Sequence, residues 1–194
     1  CFSPSWRCWL WWLHGSDGNL GAREGVVVTE TEFDVLVEIP EGSRNKYEMD
    51  HSVGRIRLDR MLFTSTQYPA DYGYIEGTLA RDGDPLDALV LVGEPTFPGC
   101  LIRCRAIGIF MMSDEQGPDE KVLCVPSADP RKYDLRDIDD VARFDLLEIT
   151  HFFEIYKDLE PGKLVEGSYW EGRERAYAEI ADARRRAGDS GGSP

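Results

Sequence analysis

The chain has 194 residues, 42% hydrophobic and 30% charged, with a formal net charge of −14. That length and composition suit one well-buried domain. The charge repels phosphate backbones and anionic lipid headgroups, excluding broad nucleic-acid or membrane binding, whereas a small anion could bind with divalent cations between it and the carboxylates.

Residues 1–25 differ from the rest: they hold four of the five tryptophans and no methionine. WLWWL is too short for a bilayer span, and with one Arg ahead of it and no small-residue cleavage site it makes a poor secretory signal. The segment is read as a leader of upstream-translated or disordered character and set apart from a domain at 26–187, with 188–194 as a flexible tail. Five cysteines, Cys1, Cys8, Cys100, Cys104 and Cys124, are odd in number and lack CxxC spacing, which points to a reducing, cytoplasmic setting. Cys100 and Cys104 are expected on one side of a strand as small packed side chains.

From Val26 the pattern is strand-like. In FDVLVEIP, Phe33, Val35, Val37 and Ile39 fall on one face, and Pro40 ends the run. Further strands are predicted at 46–50, 55–62, 86–92, 100–112 and 121–126, punctuated by Gly, Pro and Asp. Short strands at this spacing suggest a small barrel or a strongly curved sheet. After residue 137 the period changes: Leu146, Ile149, Phe153 and Tyr156 share one helical face that should pack on the sheet. A second helix is predicted from about Trp170 to Arg186, its basic end matching the macrodipole. Strands first and helices last make the class α+β.

The chemistry concentrates in DGDPLDALV, where Asp82, Asp84 and Asp87 stand within six positions. An EF-hand would need Gly and Glu where this chain has Asp87 and Gly93, so that reading fails. An aspartyl phosphotransferase would want an apolar strand running into the first Asp, but here the apolar run follows. A hard-cation site for Mg²⁺ or Mn²⁺ remains, with Gly83 and Pro85 shaping the loop; a solvated turn is the bland alternative for the triplet alone. A second acidic group, SDEQGPDEK, supplies Asp114, Glu115, Asp119 and Glu120 at the end of a long predicted strand. Two such clusters could hold several metals, which polarise phosphoryl groups and lower the pKa of bound water. Lys46, Arg60, Tyr68, Tyr72, Tyr156 and Lys157 could neutralise or hydrogen-bond phosphate oxygens if they converge.

Together these segments resemble the soluble family I inorganic pyrophosphatases in their bacterial, actinobacterial-like form. The resemblance is carried by EIP, NKYE, RLDR, YPADYGYI, DGDPLDA, FPGCLIRCRAIG, DEQGPDEK and HFFEIYKDLEPGK, in order over roughly residues 32–170. It implies a five-stranded OB-like barrel flanked by C-terminal helices, and Mg²⁺-dependent hydrolysis of pyrophosphate, with Mn²⁺ or Zn²⁺ as possible substitutes. By motif position, Asp82, Asp87, Asp114 and Asp119 resemble the metal ligands, with Glu38 near a further metal. Asp84 or Asp119 corresponds to the base acting on water. Lys46, Glu48, Arg60, Tyr72, Lys121, Tyr156 and Lys157 correspond to the substrate-binding set. The family also implies a homohexamer with no nucleic-acid or membrane partner. Two departures stand out: Gln116 accompanies His51, and Ile155 follows His151 where some hexameric members carry a second His. For both histidines a packing or hydrogen-bonding role is expected ahead of metal ligation.

Overall fold

The computed structural model describes residues 31–114, 117–162 and 165–190. The expected leader, the final residues of the expected tail, Glu115 and Gln116 lie outside the described residues.

Strand β1 (Phe33–Ile39) has the predicted alternation: Phe33, Val35, Val37 and Ile39 are buried, and the residues between them are not. Strands β2 (Asn45–Asp50) and β3 (Arg55–Met61) form a separate antiparallel hairpin. They are followed by β4 (Asp71–Ile75), β5 (Asp87–Val90), β6 (Leu101–Asp114), the two-residue β7 (Gly117–Pro118) and β8 (Lys121–Pro126). Helix α1 (Arg143–Ile155), strand β9 (Val165–Gly172) and helix α2 (Arg173–Ser190) complete the chain.

Pairings run β1–β4–β5–β8–β6 and return from β6 to β1, closing the expected five-stranded barrel. Closure is possible because β6 is long. Leu101–Cys104 pairs with β1, Cys104–Phe110 with β8, and Gly108–Asp114 with β9. The pairing of β5 with β8 is parallel and sets Asp87 opposite Lys121, so both strands begin at the same end of the barrel.

Two apolar clusters stabilise this frame. One joins Ile39, Leu123 and Phe110 to Ile149, Phe152 and Phe153 of α1, with Leu146 packed at its border. The other joins Val35, Ile109 and Val122 to Ala176, Ile180 and Ala183 of α2. At about 1.5–3 kcal/mol per fully buried large apolar side chain, these two faces are what fix the helices on the barrel.

The structure departs from the sequence-based expectation in several places. Strand β4 was not foreseen, because it is covered on both faces, shows almost no alternation and carries Gly73 at its centre. That glycine is required: a Cβ there would lie 1.9 Å from the Leu36 carbonyl oxygen. Trp170 belongs to β9 and not to the second helix, because its ring packs on Phe110 (4.8 Å between centroids) and its indole N–H donates to Thr150 Oγ1 at 2.9 Å. Helix α2 runs on to Ser190, past the Arg186 expected as its end. Finally, Cys100 precedes β6 and is half-buried, whereas Cys104 is buried within it; they do not share a strand face. The buried partner thiol is instead Cys124 on β8, which donates to the Leu89 carbonyl at 3.3 Å.

Candidate active site

At the shared start of β5 and β8 lies a cavity of about 500 Å³. Glu38 reaches it from β1, Lys46 and Glu48 from β2, Arg60 from β3, and Tyr72 from β4. Asp82 and Asp84 come from the loop before β5, Asp87 from its first residue, Asp119 and Lys121 from the start of β8, and Tyr156 and Lys157 from the end of α1. The structure thus gathers the site residues predicted from sequence except Asp114, whose backbone ends β6 and whose side chain lies outside the description, and Tyr68, which is buried in the apolar core against Phe152 and does not line the cavity.

Lys121 organises the floor. Its side chain is 2% exposed, and Nζ donates to Asp87 Oδ2 at 2.9 Å and to Asp119 Oδ1 at 2.5 Å. The same ammonium lies 5.3 Å from the Phe153 ring centroid and 5.6 Å from that of Tyr72, close enough for cation–π attraction. Burial alone would lower its pKa, but the charges of Asp87 and Asp119 outweigh it and hold the amine charged well above its usual range. The Tyr72 hydroxyl donates to Asp87 Oδ2, and burial, then the Asp87 charge, push that phenol far up, so it acts as a hydrogen-bond donor.

On the opposite wall, Arg60 is held in a fork by Glu160, with contacts of 2.8 and 2.9 Å from Nη2 and 3.0 Å from Nε, and it also donates to Asp59. Lys46 pairs with Glu48 and lies 3.7 Å from Asp59. Lys157 extends over the Tyr156 ring. In the 82–87 loop, the Asp84 amide donates to Asp82 Oδ1 at 3.1 Å, and Gly83 takes φ +97°, a conformation in which side chains are strained. Asp84 is raised above its usual carboxyl pKa by burial and then by Asp82 and Asp87. Glu38 goes further, to about 7: desolvation leads, Asp87 and Glu48 add to it, and the 2.6 Å hydrogen bond from the Met49 amide opposes.

The residues suit hard divalent cations. Seven carboxylates line the cavity (Glu38, Glu48, Asp59, Asp82, Asp84, Asp87 and Asp119) against four permanent cations, a formal excess of three negative charges that falls to two where Glu38 is protonated. Such an excess cannot accept an anion unless cations enter, and an all-oxygen donor set selects Mg²⁺-like ions over thiophilic ones. Among the described residues no three His, Cys, Asp or Glu side chains are grouped so as to hold a metal ion.

Sequence reasoning missed Asp59, Tyr74 and Glu160. Lys46 opposes Arg60 and Tyr47 opposes Leu58, so Asp59 is the unopposed residue of a bulge, which turns it toward the cavity beside Arg60. Glu38 is likewise unopposed between Val37 and Ile39. Strict alternation would send neighbours such as Asp59 and Arg60 to opposite faces, so a sequence reading chooses only one of them. Tyr74 is half-buried, and its ring lies 5.8 Å from that of His51, an exposed residue on the cavity wall. His151 is exposed on α1.

Residues 35–187 match the family described as inorganic pyrophosphatase. The chain belongs to the inorganic pyrophosphatase family. It is 69% identical to the inorganic pyrophosphatase of Streptomyces coelicolor over 161 residues, covering 83% of this chain and 99% of the relative. A second actinobacterial relative, the inorganic pyrophosphatase of Leifsonia xyli, is 54% identical over 72% of this chain and 86% of its own length. Among solved structures, the pyrophosphatase of Coxiella burnetii superposes with a TM-score of 0.78 at 44% identity, covering 81% of this chain and 95% of that one. The Thermus thermophilus enzyme gives 0.79 at 42% identity, covering 87% and 95%. In this family member the α+β class, the OB-like barrel and its C-terminal helices stand as expected. Among the described residues no helix is long and apolar enough to cross a membrane.

Proposed function

We propose that this pyrophosphatase hydrolyses inorganic pyrophosphate to two orthophosphates in the cytoplasm, with Mg²⁺ as the working cation and Mn²⁺ or Zn²⁺ as possible substitutes. One observation carries the reading: seven carboxylates and a set of Lys, Arg and Tyr side chains converge on a single cavity. Asp82, Asp87, Asp114, Asp119 and Glu38 would hold the metals. When bound, these ions would supply charge neutralisation, Lewis-acid polarisation of the phosphates and a more acidic water.

The chain's own groups account for the rest. Lys46, Arg60, Lys121 and Lys157 bring positive charge to the two phosphates, and Tyr72 and Tyr156 add directional hydrogen bonds. Glu48, paired with Lys46, keeps that ammonium aimed across the cavity. Asp84, exposed in the loop before β5 with a raised carboxyl pKa, would take the proton from the attacking water, with Asp119 as the alternative base. Direct attack by water on phosphorus needs no covalent phosphoenzyme, and the triplet offers no strand-end nucleophile for one. Assembly as a homohexamer is the expected quaternary state.

The test is phosphate release from pyrophosphate with Mg²⁺, with Ca²⁺ in its place and with EDTA, using ATP as a parallel substrate. Fast release with Mg²⁺ and little from ATP supports the proposal; no release from pyrophosphate under any condition overturns it.

A further inference from the structure

Away from the cavity, α2 carries a carboxylate, Glu179, whose side chain is 1% exposed. It accepts hydrogen bonds from Arg175 Nη2 at 2.9 Å and Arg186 Nη2 at 2.7 Å, and Arg81 Nη2 approaches to 3.9 Å. Burial works against its charge, yet the bonds from Arg186 and Arg175 prevail and hold its carboxyl below the ordinary value.

The partners of Glu179 grip the chain just before the acidic loop. Arg186 Nε donates to the Leu79 carbonyl at 2.8 Å, and the Leu79 amide donates to the Ala183 carbonyl of α2 at 3.0 Å. The Ala80 amide then closes the loop on the Asp84 carbonyl at 2.7 Å. Arg81 also lies 3.8 Å from Glu120, a second carboxylate with 2% of its side chain exposed, seated between Asp119 and Lys121. One patch of α2 therefore touches the approach to Asp82 and Asp84, and through Arg81 it reaches the strand start that carries Asp119 and Lys121.

Apolar burial reaches this segment only at Ala80, which packs against the second cluster, and does not place residues 81–84, which are all exposed. Polar anchors must do so. A buried ion cluster is often no more stabilising than an apolar replacement of the same shape, so what it adds here is geometry. We propose that Glu179, acting through Arg186 and Arg81, is a positioning residue that holds the 79–84 segment, and with it the carboxylates of Asp82 and Asp84, in register with the Asp119–Lys121 side of the cavity. What those carboxylates do rests on the pyrophosphatase reading; where they are held does not.

The test uses the full chain carrying Glu179→Gln, with Arg81→Met as a second variant that leaves Arg175 and Arg186 on Glu179. In metal-free protein, amide hydrogen exchange at Leu79 and Ala80 is expected to quicken by about fivefold or more in Glu179→Gln, corresponding to roughly 1 kcal/mol of local opening. The amides of β5 should not change. Mn²⁺ titrated into metal-free protein and followed spectroscopically should bind several-fold more weakly. The metal concentration for half-maximal activity should rise more than kcat at saturating metal falls. Arg81→Met should give a smaller change confined to the same segment, and it carries the test if Glu179→Gln does not fold. Unchanged exchange at Leu79 and Ala80 with unchanged Mn²⁺ binding, or a uniform rise in exchange across the chain, overturns the proposal. A wild-type protein that releases no phosphate while Glu179→Gln still loosens the segment would overturn the pyrophosphatase reading and uphold this one.

Discussion

Replacing Lys121 with methionine removes the one charge that bridges Asp87 and Asp119 while keeping most of the side chain's volume and its apolar stem. The ammonium is 2% exposed, but the two carboxylates keep some solvent access, at 29% and 17%. Removing one partner of a fully buried ion pair costs about 3–5 kcal/mol. Because Asp87 and Asp119 are partly hydrated, and because the variant is relieved of burying an ammonium, roughly 2–3 kcal/mol is expected in the metal-free protein. For a chain of this size that lowers Tm by about 5–10 °C. Divalent cations should supply the missing charge, so in excess Mg²⁺ the deficit should shrink below about 1 kcal/mol. Urea denaturation of wild type and Lys121→Met at one protein concentration, in EDTA and then in Mg²⁺, measures both values. An equal deficit in the two conditions would show that Asp87 and Asp119 are not where the cations sit. A negligible deficit in EDTA would show that the bridge does not hold the floor together.

Three other predictions follow from the same geometry. Asp84→Asn should reduce turnover by about 100-fold or more with an unchanged unfolding midpoint, as expected for loss of a general base; turnover within a few-fold of wild type would move that role to Asp119. Gly73→Ala should destabilise by at least about 3 kcal/mol or prevent folding, because its methyl would meet the Leu36 backbone carbonyl at 1.9 Å; wild-type thermal stability would contradict the close approach of β1 and β4. Glu38, raised to about 7 in the fold, favours its protonated form there. Its contribution to stability is therefore fully present below the unfolded value of about 4.3 and is lost as pH rises through 7. Between pH 5.5 and 8.5 the metal-free wild type should lose roughly 1–2 kcal/mol relative to Glu38→Gln; parallel stability curves for the two proteins would show that Glu38 is not held in a desolvated, carboxylate-crowded place.

Much of this molecule was legible along the chain because its signals are local. Alternation in FDVLVEI is a property of seven neighbouring residues, and the structure buries the face it marks. The helical face of Leu146, Ile149, Phe153 and Tyr156 was equally visible, because its period of 3.6 sits within a single element. The chemistry of the site residues was readable as well, since carboxylates, ammonium groups and phenols are what an anion and its cations require wherever the fold places them.

Tertiary structure alone decided how those residues meet. The parallel pairing of β5 with β8 brings Asp87 beside Lys121 across more than thirty residues of chain, and no local pattern encodes which strand lies next to which. Bulges turn Asp59 and leave Glu38 unopposed, breaking the alternation on which a sequence reading depends. Strand β4 and the tryptophan of β9 took their conformations from what covers them rather than from their own propensities. By itself the sequence determined which side chains could do the chemistry, through their composition and local period. The fold determined their distances, and with them the desolvation that raises Glu38 and the paired carboxylate charges that keep Lys121 charged against its burial, because those effects depend on neighbours that are remote in sequence and adjacent in space.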